Sequence, residues 1–513
     1  MTSAVDNRRL AKNTMVLYFR MLFQMAVFFY TSRVIIRVLG VVDYGVYDVV
    51  AGLVVVMMFL NNAMTTSSQR FITVALGKGD KQHLSEVYSN CIIIHGLMAL
   101  VVLLLGETVG LWYMHHYMNI PPERFESALW VFHCSLLSAM FLVFNVPFNA
   151  AIIAYERMTA FAFISIFDIL CKLGIVLTLP YCNWGDKLQI YAVMLLAENL
   201  VARSLYIYYC RRNFPDLKFT WKRNAALFRS ILYFAGWNSF SNTSVVCNTQ
   251  GLNLLLNYMG GPAVNAARGI AFSVQSAVTA FISSFQTAIN PQITKSCAQQ
   301  DFTAMQQLVT RSSRLSFCIV LLLFVPLICK TEWFLWLWLG SVPDYAVTFT
   351  RLLLCVSLID ALANPLMVGA AATGRVKRYY IIEGCSLLSI LPIACAAASL
   401  GCAPQTVFAI QLTVVVIVQI IRIKLCNGLF GLPIKDYLAS VMLRCLGVLA
   451  AAYALPRLAL SFLPDTTAST LGIIALSIAW TTAIVLAFGT DKAERTFIFQ
   501  KISSLCLRSS TKQ

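Results

Sequence analysis

The sequence predicts an all-α polytopic membrane protein of about 14 transmembrane helices, arranged as two parallel six-helix lobes with two further helices at the C-terminal end. Three observations lead there. Hydrophobic residues make up 59% and charged residues 12% of the 513 positions, with mean hydropathy +0.74. A soluble domain carries roughly 25% charged residues, so this chain has too little polar surface to coat a globule of its size. Apolar runs of bilayer-spanning length, about 20 residues each, recur along the whole chain. Finally, one stretch occurs twice. Aligning Gly40 with Gly260 sets RVLGVVDYGVYDVVAG beside NYMGGPAVNAARGIAF, and a shift of about 221 residues pairs Ile72, Thr73 and Asp80 with Ile293, Thr294 and Asp301.

The expected spans are 14–38, 45–66, 88–107, 127–150, 160–180 and 189–209 in the first lobe, and 232–256, 264–288, 311–329, 346–368, 380–400 and 405–425 in the second. Spans 437–460 and 468–488 follow. This gives an N-terminal lobe over 1–209, a basic linker over 210–231, a second lobe over 232–425, two additional helices within 426–490 and a basic tail over 491–513. Six spans per lobe is an even number, so the second lobe enters the bilayer from the same side as the first, and the repeats are parallel. The polar start with Arg8, Arg9 and Lys12 runs straight into a long span, which predicts an uncleaved first helix.

Basic residues set the orientation. With the N-terminus in the cytoplasm, 27 of the 39 Lys and Arg fall in cytoplasmic segments, so both termini are expected inside. The net charge of +17 is then mostly topological. No basic run interleaved with aromatics in a soluble module points to nucleic acid. The linker is basic and partly amphipathic, which predicts that it rests on the membrane surface. Sixteen cysteines lie mostly inside apolar runs without CxxC spacing or a Cys/His cluster, and are expected as small core residues with no metal or redox role.

Intramembrane ionisable residues are the strongest functional signal, because each costs about 2.5–3.5 kcal/mol on insertion scales. Span 1 carries Arg20, and Asn13, Arg20, Gln24 and Thr31 fall on one helical face. Span 8 carries Arg268, with Gln275, Thr279 and Gln286 continuing the line, and span 7 adds Asn238, Ser241, Asn242 and Thr249. Arg20, Gln24, Asn238, Asn242, Arg268 and Gln275 are therefore the expected cavity residues, the amides for sugar hydroxyls and the arginines for phosphate. Arg33 and Arg37 are expected to snorkel to the interface. Asp168, Lys172 and Glu198 are candidates for ion or proton coupling, although an ion pair of Asp168 with Lys172 four residues on is the plainer account. Arg203 shares span 6 with Glu198, and Arg351, Asp360 and Glu383 add charge to spans 10 and 11. The His115/His116 pair is expected in an exposed outward loop.

No GxxxxGK[ST], HExxH or GxSxG motif occurs, so the sequence offers no built-in ATPase or familiar hydrolase centre, and no cofactor is expected. The outward loops are short and hold no acidic domain of the kind a membrane glycosyltransferase or polymerase uses.

NRRLAKNTMVLYFRMLF, TSRVIIRVLGVVDYGVYDVVAGLV, SSQRFITVALGKGD and FAGWNSFSNTSVVCNTQGLNLLLNYMGGPAVNAARGIAFSVQ resemble bacterial polysaccharide biosynthesis proteins. These are the oligosaccharide-lipid flippases (Wzx-type) of the multidrug/oligosaccharidyl-lipid/polysaccharide exporter superfamily. The resemblance covers nearly the whole chain. It implies two six-helix lobes plus two helices around a V-shaped cavity, and alternating access to a polyprenyl-pyrophosphate-linked oligosaccharide for O-antigen, capsule or exopolysaccharide assembly. It further implies a cationic cavity with arginines on the first and eighth helices, where Arg20 and Arg268 stand, a bacterial inner-membrane location, and a polysaccharide polymerase and other assembly proteins as partners beside membrane lipids. Two alternatives stay open: a cation-coupled multidrug exporter of the same fold, and a membrane glycosyltransferase or polymerase. An exporter of that kind uses an acidic first helix, whereas no carboxylate occurs here between Asn13 and Leu39.

Overall fold

The computed structural model describes residues 2–57, 61–118, 120–182, 185–221, 224–340, 342–462, 466–491 and 494–496. The described residues form helices without a β-strand. In chain order these are α1 (Thr2–Met57), α2 (Asn61–Lys78), α3 (Lys81–Leu105), α4 (Leu111–Tyr117), α5 (Phe125–Ala154), α6 (Met158–Thr178) and α7 (Lys187–Asn213). There follow α8 (Ala225–Ala298), α9 (Phe302–Cys329), α10 (Thr331–Leu339), α11 (Ala346–Thr373), α12 (Lys377–Leu388), α13 (Ile390–Ser399), α14 (Gln405–Phe430), α15 (Ile434–Tyr437), α16 (Arg444–Phe462) and α17 (Thr467–Ile484). Ten helical stretches among the described residues are long and apolar enough to cross a membrane, which makes this a multi-pass membrane protein. They match ten of the expected spans, and the other four fall on α1, α2 and α8. His115 and His116 lie on α4, a helix joined to α3 through a π turn, and not in the loop expected for them.

Two of these elements contain sharp bends. In α1 the helical path breaks at Gly40, whose φ of 80° and ψ of 167° suit a residue without Cβ. In α8 a straight helix would set residues 249 and 268 about 28 Å apart. Instead Arg268 Nη2 donates to the Thr249 carbonyl at 2.8 Å, and Nη1 to Asn253 Oδ1 at 3.1 Å. The chain therefore doubles back between Asn253 and Arg268. Gly260 lies in that reversal, where a Cβ would come within 2.3 Å of the Val264 side chain. The two glycines aligned by the repeat thus both mark bends.

Contacts divide the chain into two compact units, Met1–Phe240 with Thr287–Asp301, and Ser241–Gln286 with Phe302–Gln513. In the first unit one apolar cluster takes Leu39 and Val50 of α1, Val131 and Phe132 of α5, Ile175 and Val176 of α6 and Leu188 and Ala192 of α7. A second takes Ile72 of α2, Tyr88 of α3, Phe148 and Ile152 of α5 and Tyr206 of α7. Along α6 and α7 the two clusters leave an interval that holds Asp168, Lys172, Glu198 and Arg203. The charges therefore lie at mid-height, between two dry layers.

The ends of these helices are closed by polar side chains. Asp186 caps α7 by accepting from the Leu188 N–H at 2.8 Å, and also accepts from Ser127 at 2.6 Å and Arg124 at 2.7 Å. Arg124 bridges onward to Asp43 of α1. Burial raises the Asp186 carboxyl, but the Ser127, Arg124 and Leu188 hydrogen bonds outweigh it and hold the group below its ordinary range. In the second unit Arg314 of α9 is 5% exposed and pairs with Glu494 at 3.1 Å and with Asp491, while Arg311 reaches Glu494 at 2.6 Å and Arg444 of α16 reaches Asp491 at 2.8 Å. This network ties the segment after α17 to α9 and α16. The stretch expected as the linker, 210–231, holds the last turn of α7 and the first turns of α8, with the chain between them lying against α3. Among the described residues the cysteines are free: Cys91, Cys134 and Cys426 are buried, but Cys247, Cys385 and Cys395 are exposed, so the expectation of core positions fails for those three.

Two measurements check this account. Gly40→Val lowers the midpoint of thermal unfolding in detergent, because a β-branched residue at that φ is strained by about 1–3 kcal/mol, whereas Gly52→Ala, with open space at its Cβ, does not. Asp186→Asn keeps a capping side chain but removes the charge, and costs about 1–2 kcal/mol at neutral pH. Because the native carboxyl titrates below its unfolded value of about 3.9, its contribution is complete above that value and the gap between the two proteins closes as pH falls further.

Candidate functional site

Each unit buries a polar cluster, and each cluster contains a carboxylate paired with an arginine two transmembrane stretches apart or fewer. In the first unit the Asp168 carboxylate of α6 receives Lys172 Nζ at 3.0 Å and lies 3.7 Å from Arg203 Nη2 of α7. Lys172 also lies 3.9 Å from Glu198, whose side chain is 2% exposed and whose two oxygens are buried without a hydrogen-bond partner. The cluster thus brings together two acids and two bases. It is fixed from behind: Arg203 Nε donates to Asn199 at 3.2 Å, and Asn145 donates to the Arg203 carbonyl at 3.0 Å. Lys172 and Asn199 open onto a cavity of about 280 Å³ that also includes Tyr47 and Ser138.

Arg20 stands beside this cluster. Its Nη1 donates to Ser165 at 3.4 Å, Ser165 meets the Tyr206 hydroxyl at 3.3 Å, and the guanidinium lies 4.8 Å from the Phe161 ring centre. A planar cation over an aromatic face is one way to hold charge in a bilayer. Gln24, one turn on, is exposed and takes no part in the cluster, and Asn238 is buried in the same unit. Arg37 is exposed, and the Arg33 side chain lies outside the described residues.

The second unit contains a cavity of about 340 Å³ lined by α8, α11, α12 and α14. Asn242 and Gln275 of the expected set line it, with Ser241, Thr249, Thr279 and Gln286 from the same two faces of α8. Four further amide or acid groups enter from other helices: Asp360 and Asn364 of α11, Glu383 of α12 and Gln411 of α14. Glu383 is buried and accepts from Arg422 Nη2 at 2.7 Å and Nε at 2.8 Å, while its other oxygen accepts from Ser241 at 3.4 Å. The Oδ1 atoms of Asn248 and Asn364 are buried without a hydrogen-bond partner. Spare acceptors converging on a cavity are suited to a ligand that brings hydroxyl donors. Arg268 is not among the lining residues; it is spent on Thr249 and Asn253 and packs 5.0 Å from the Phe272 ring centre.

Sequence reasoning thus named Asp168, Lys172 and Glu198 together, and the structure brings them together. It did not assign Arg203, Asp360, Glu383 or Arg422 to a site. Arg422 falls inside the expected span 405–425 and is 4% exposed in α14. Gly431 and Pro433 stop that helix two turns beyond Arg422. Arg314, inside the expected span 311–329, is likewise buried within α9.

The chain has the fold of the MATE transporters of the MOP superfamily. An outward-facing multidrug resistance MATE family transporter of the MOP superfamily superposes with a TM-score of 0.70 at 15% identity, over 85% of this chain and 99% of that chain. A MOP superfamily transporter from Pyrococcus furiosus, described as having a binding pocket of reverse polarity that suggests a different function, gives 0.68 at 15% identity over 83% and 96%. A MATE structure in the bent conformation gives 0.68 at 16% identity over 85% and 99%. Residues 239–395 match the family model MatE. No curated protein matches the sequence.

The Glu383–Arg422 pair is testable by stability. Glu383→Ala leaves a buried guanidinium without its carboxylate and costs about 3–5 kcal/mol, whereas Glu383→Leu combined with Arg422→Met recovers most of that loss. Thermal unfolding of the single and double variants in one detergent measures the difference.

Proposed function

We propose that this protein is a membrane transporter, not an enzyme, and that it moves a polyprenyl-pyrophosphate-linked oligosaccharide from the cytoplasmic to the outer leaflet of a bacterial inner membrane by alternating access. The observation that carries the reading is the amide-lined cavity of the second unit, whose unpaired Asn248 and Asn364 oxygens suit a polyhydroxyl ligand. The fold shared with MATE transporters supports transport, and the sign of charge on the first helix supports an anionic cargo. That helix offers Arg20 and no carboxylate between Asn13 and Leu39. In this reading Arg20 and Arg268 hold pyrophosphate, Arg268 by exchanging its bonds to Thr249 and Asn253 for the phosphate, while Gln24, Asn238, Asn242 and Gln275 meet the glycan. Glu198, buried beside Asp168 and Lys172, takes up the proton that couples ion movement to the cycle in this reading. Both termini are cytoplasmic, and a polysaccharide polymerase receives the product.

A second reading rests on Asp360, which opens onto the same cavity and has no ion-pair partner among the described residues. It makes the protein a cation-coupled multidrug exporter. Cells separate the two. With an oligosaccharide-lipid cargo, Arg20→Ala and Arg268→Ala leave protein abundance near parental while lipid-linked glycan accumulates facing the cytoplasm, and Lys restores little because it lacks the two-pronged phosphate contact. Export of surface polysaccharide at the parental rate in both Ala variants, together with loss of resistance to cationic drugs in Asp360→Asn, would establish the exporter instead.

A further inference from the structure

The first unit contains an apolar groove that neither polar cluster uses. α5 packs against both α3 and α7, and these two leave a channel between them of about 530 Å³. Its floor is Phe144 and Phe148 of α5, and its walls are Tyr88 and Gly96 of α3 and Ile207 of α7. Across one end runs the chain that leaves α7, with Leu217, Phe219 and Trp221 closing over it.

That end is fixed as the polar one. Lys81 at the start of α3 pairs with Asp216 at 3.0 Å, and Ser85, one turn along, donates to the Lys218 carbonyl. The groove then runs away from this end along α3, from Tyr88 to Leu97, a rise of about 14 Å into the apolar part of the helix. Arg211, in the last turn of α7, lines the groove near its polar mouth and has no ion-pair partner among the described residues. Phe219 and Trp221 are exposed and meet edge to face at 5.3 Å, the amphipathic ring pair found at membrane interfaces. Arg212 and Lys218 add positive charge to the same segment.

We infer that this groove binds one acidic glycerophospholipid of the surrounding bilayer, with its phosphate at Arg211 and one acyl chain lying between α3 and α7 over Phe144 and Phe148. An unpaired guanidinium at the mouth of an otherwise apolar channel complements an anion joined to a hydrocarbon tail, and excludes both a free inorganic anion and a neutral lipid as preferred occupants. The cavity volume falls in the range of about 300–1,000 Å³ that holds small ligands. The site is independent of which solute is transported.

The test uses the purified full chain in nanodiscs of equal parts phosphatidylglycerol and phosphatidylcholine, with the lipids that survive transfer to native mass spectrometry counted. The parent retains phosphatidylglycerol preferentially. Arg211→Gln reduces that preference about fivefold, the size expected for one juxtamembrane cation, and Arg211→Lys keeps it. Gly96→Phe fills the channel, where a Cβ meets only Phe144 at 3.9 Å, and removes retention of either lipid. Equal retention of the two lipids by the parent, an undiminished preference in Arg211→Gln, or displacement of phosphatidylglycerol by equimolar polyprenyl phosphate would overturn the assignment.

Discussion

A bilayer makes an unpaired charge costly, and the interior of each unit is organised around that constraint. In the first unit Asp168 on α6 faces Arg203 on α7; in the second, Glu383 on α12 faces Arg422 on α14. Each pair joins two neighbouring membrane-spanning stretches of one unit. A buried pair of this kind contributes little net stability over a well-packed apolar substitute, but losing one partner is severe. Its persistence in both units is therefore better explained by specificity, since it fixes which faces of neighbouring helices meet.

Much of the fold was legible because hydropathy is a local property. Ten spans can be read from windows of about 20 residues, and the aligned Gly40 and Gly260 mark real bends because only glycine tolerates the backbone or the contact found there. The pairing of Asp168 with Lys172 was legible too, being four residues apart on one helix. What was hidden lies across helices. Nothing in the sequence near Glu383 announces Arg422, which is 39 residues away. Arg20 and Arg268 show the opposite limit. Both were conspicuous as intramembrane cations, but their partners, Ser165 with Phe161 and Thr249 with Asn253, are neutral groups that composition does not flag.

The two polar clusters differ in chemistry, although each holds an ion pair. The first is a quartet of two acids and two bases beside an arginine over an aromatic ring. The second has amides around Asp360, beside an Arg422 that Glu383 already holds. A quartet of acids and bases responds to a single proton, whereas an amide-lined cavity responds to shape and hydrogen-bond donors.

The network after α17 bears on biosynthesis. Arg314 meets Glu494 across 180 residues of sequence, so during translation the arginine is made long before the carboxylates that neutralise it. Until Asp491 and Glu494 are made, α9 carries a cation without the carboxylates that pair with it in the finished chain. A nascent chain halted before that point differs from a finished one by an uncompensated guanidinium at the base of α9, an electrostatic mark of incompleteness that requires no misfolding elsewhere.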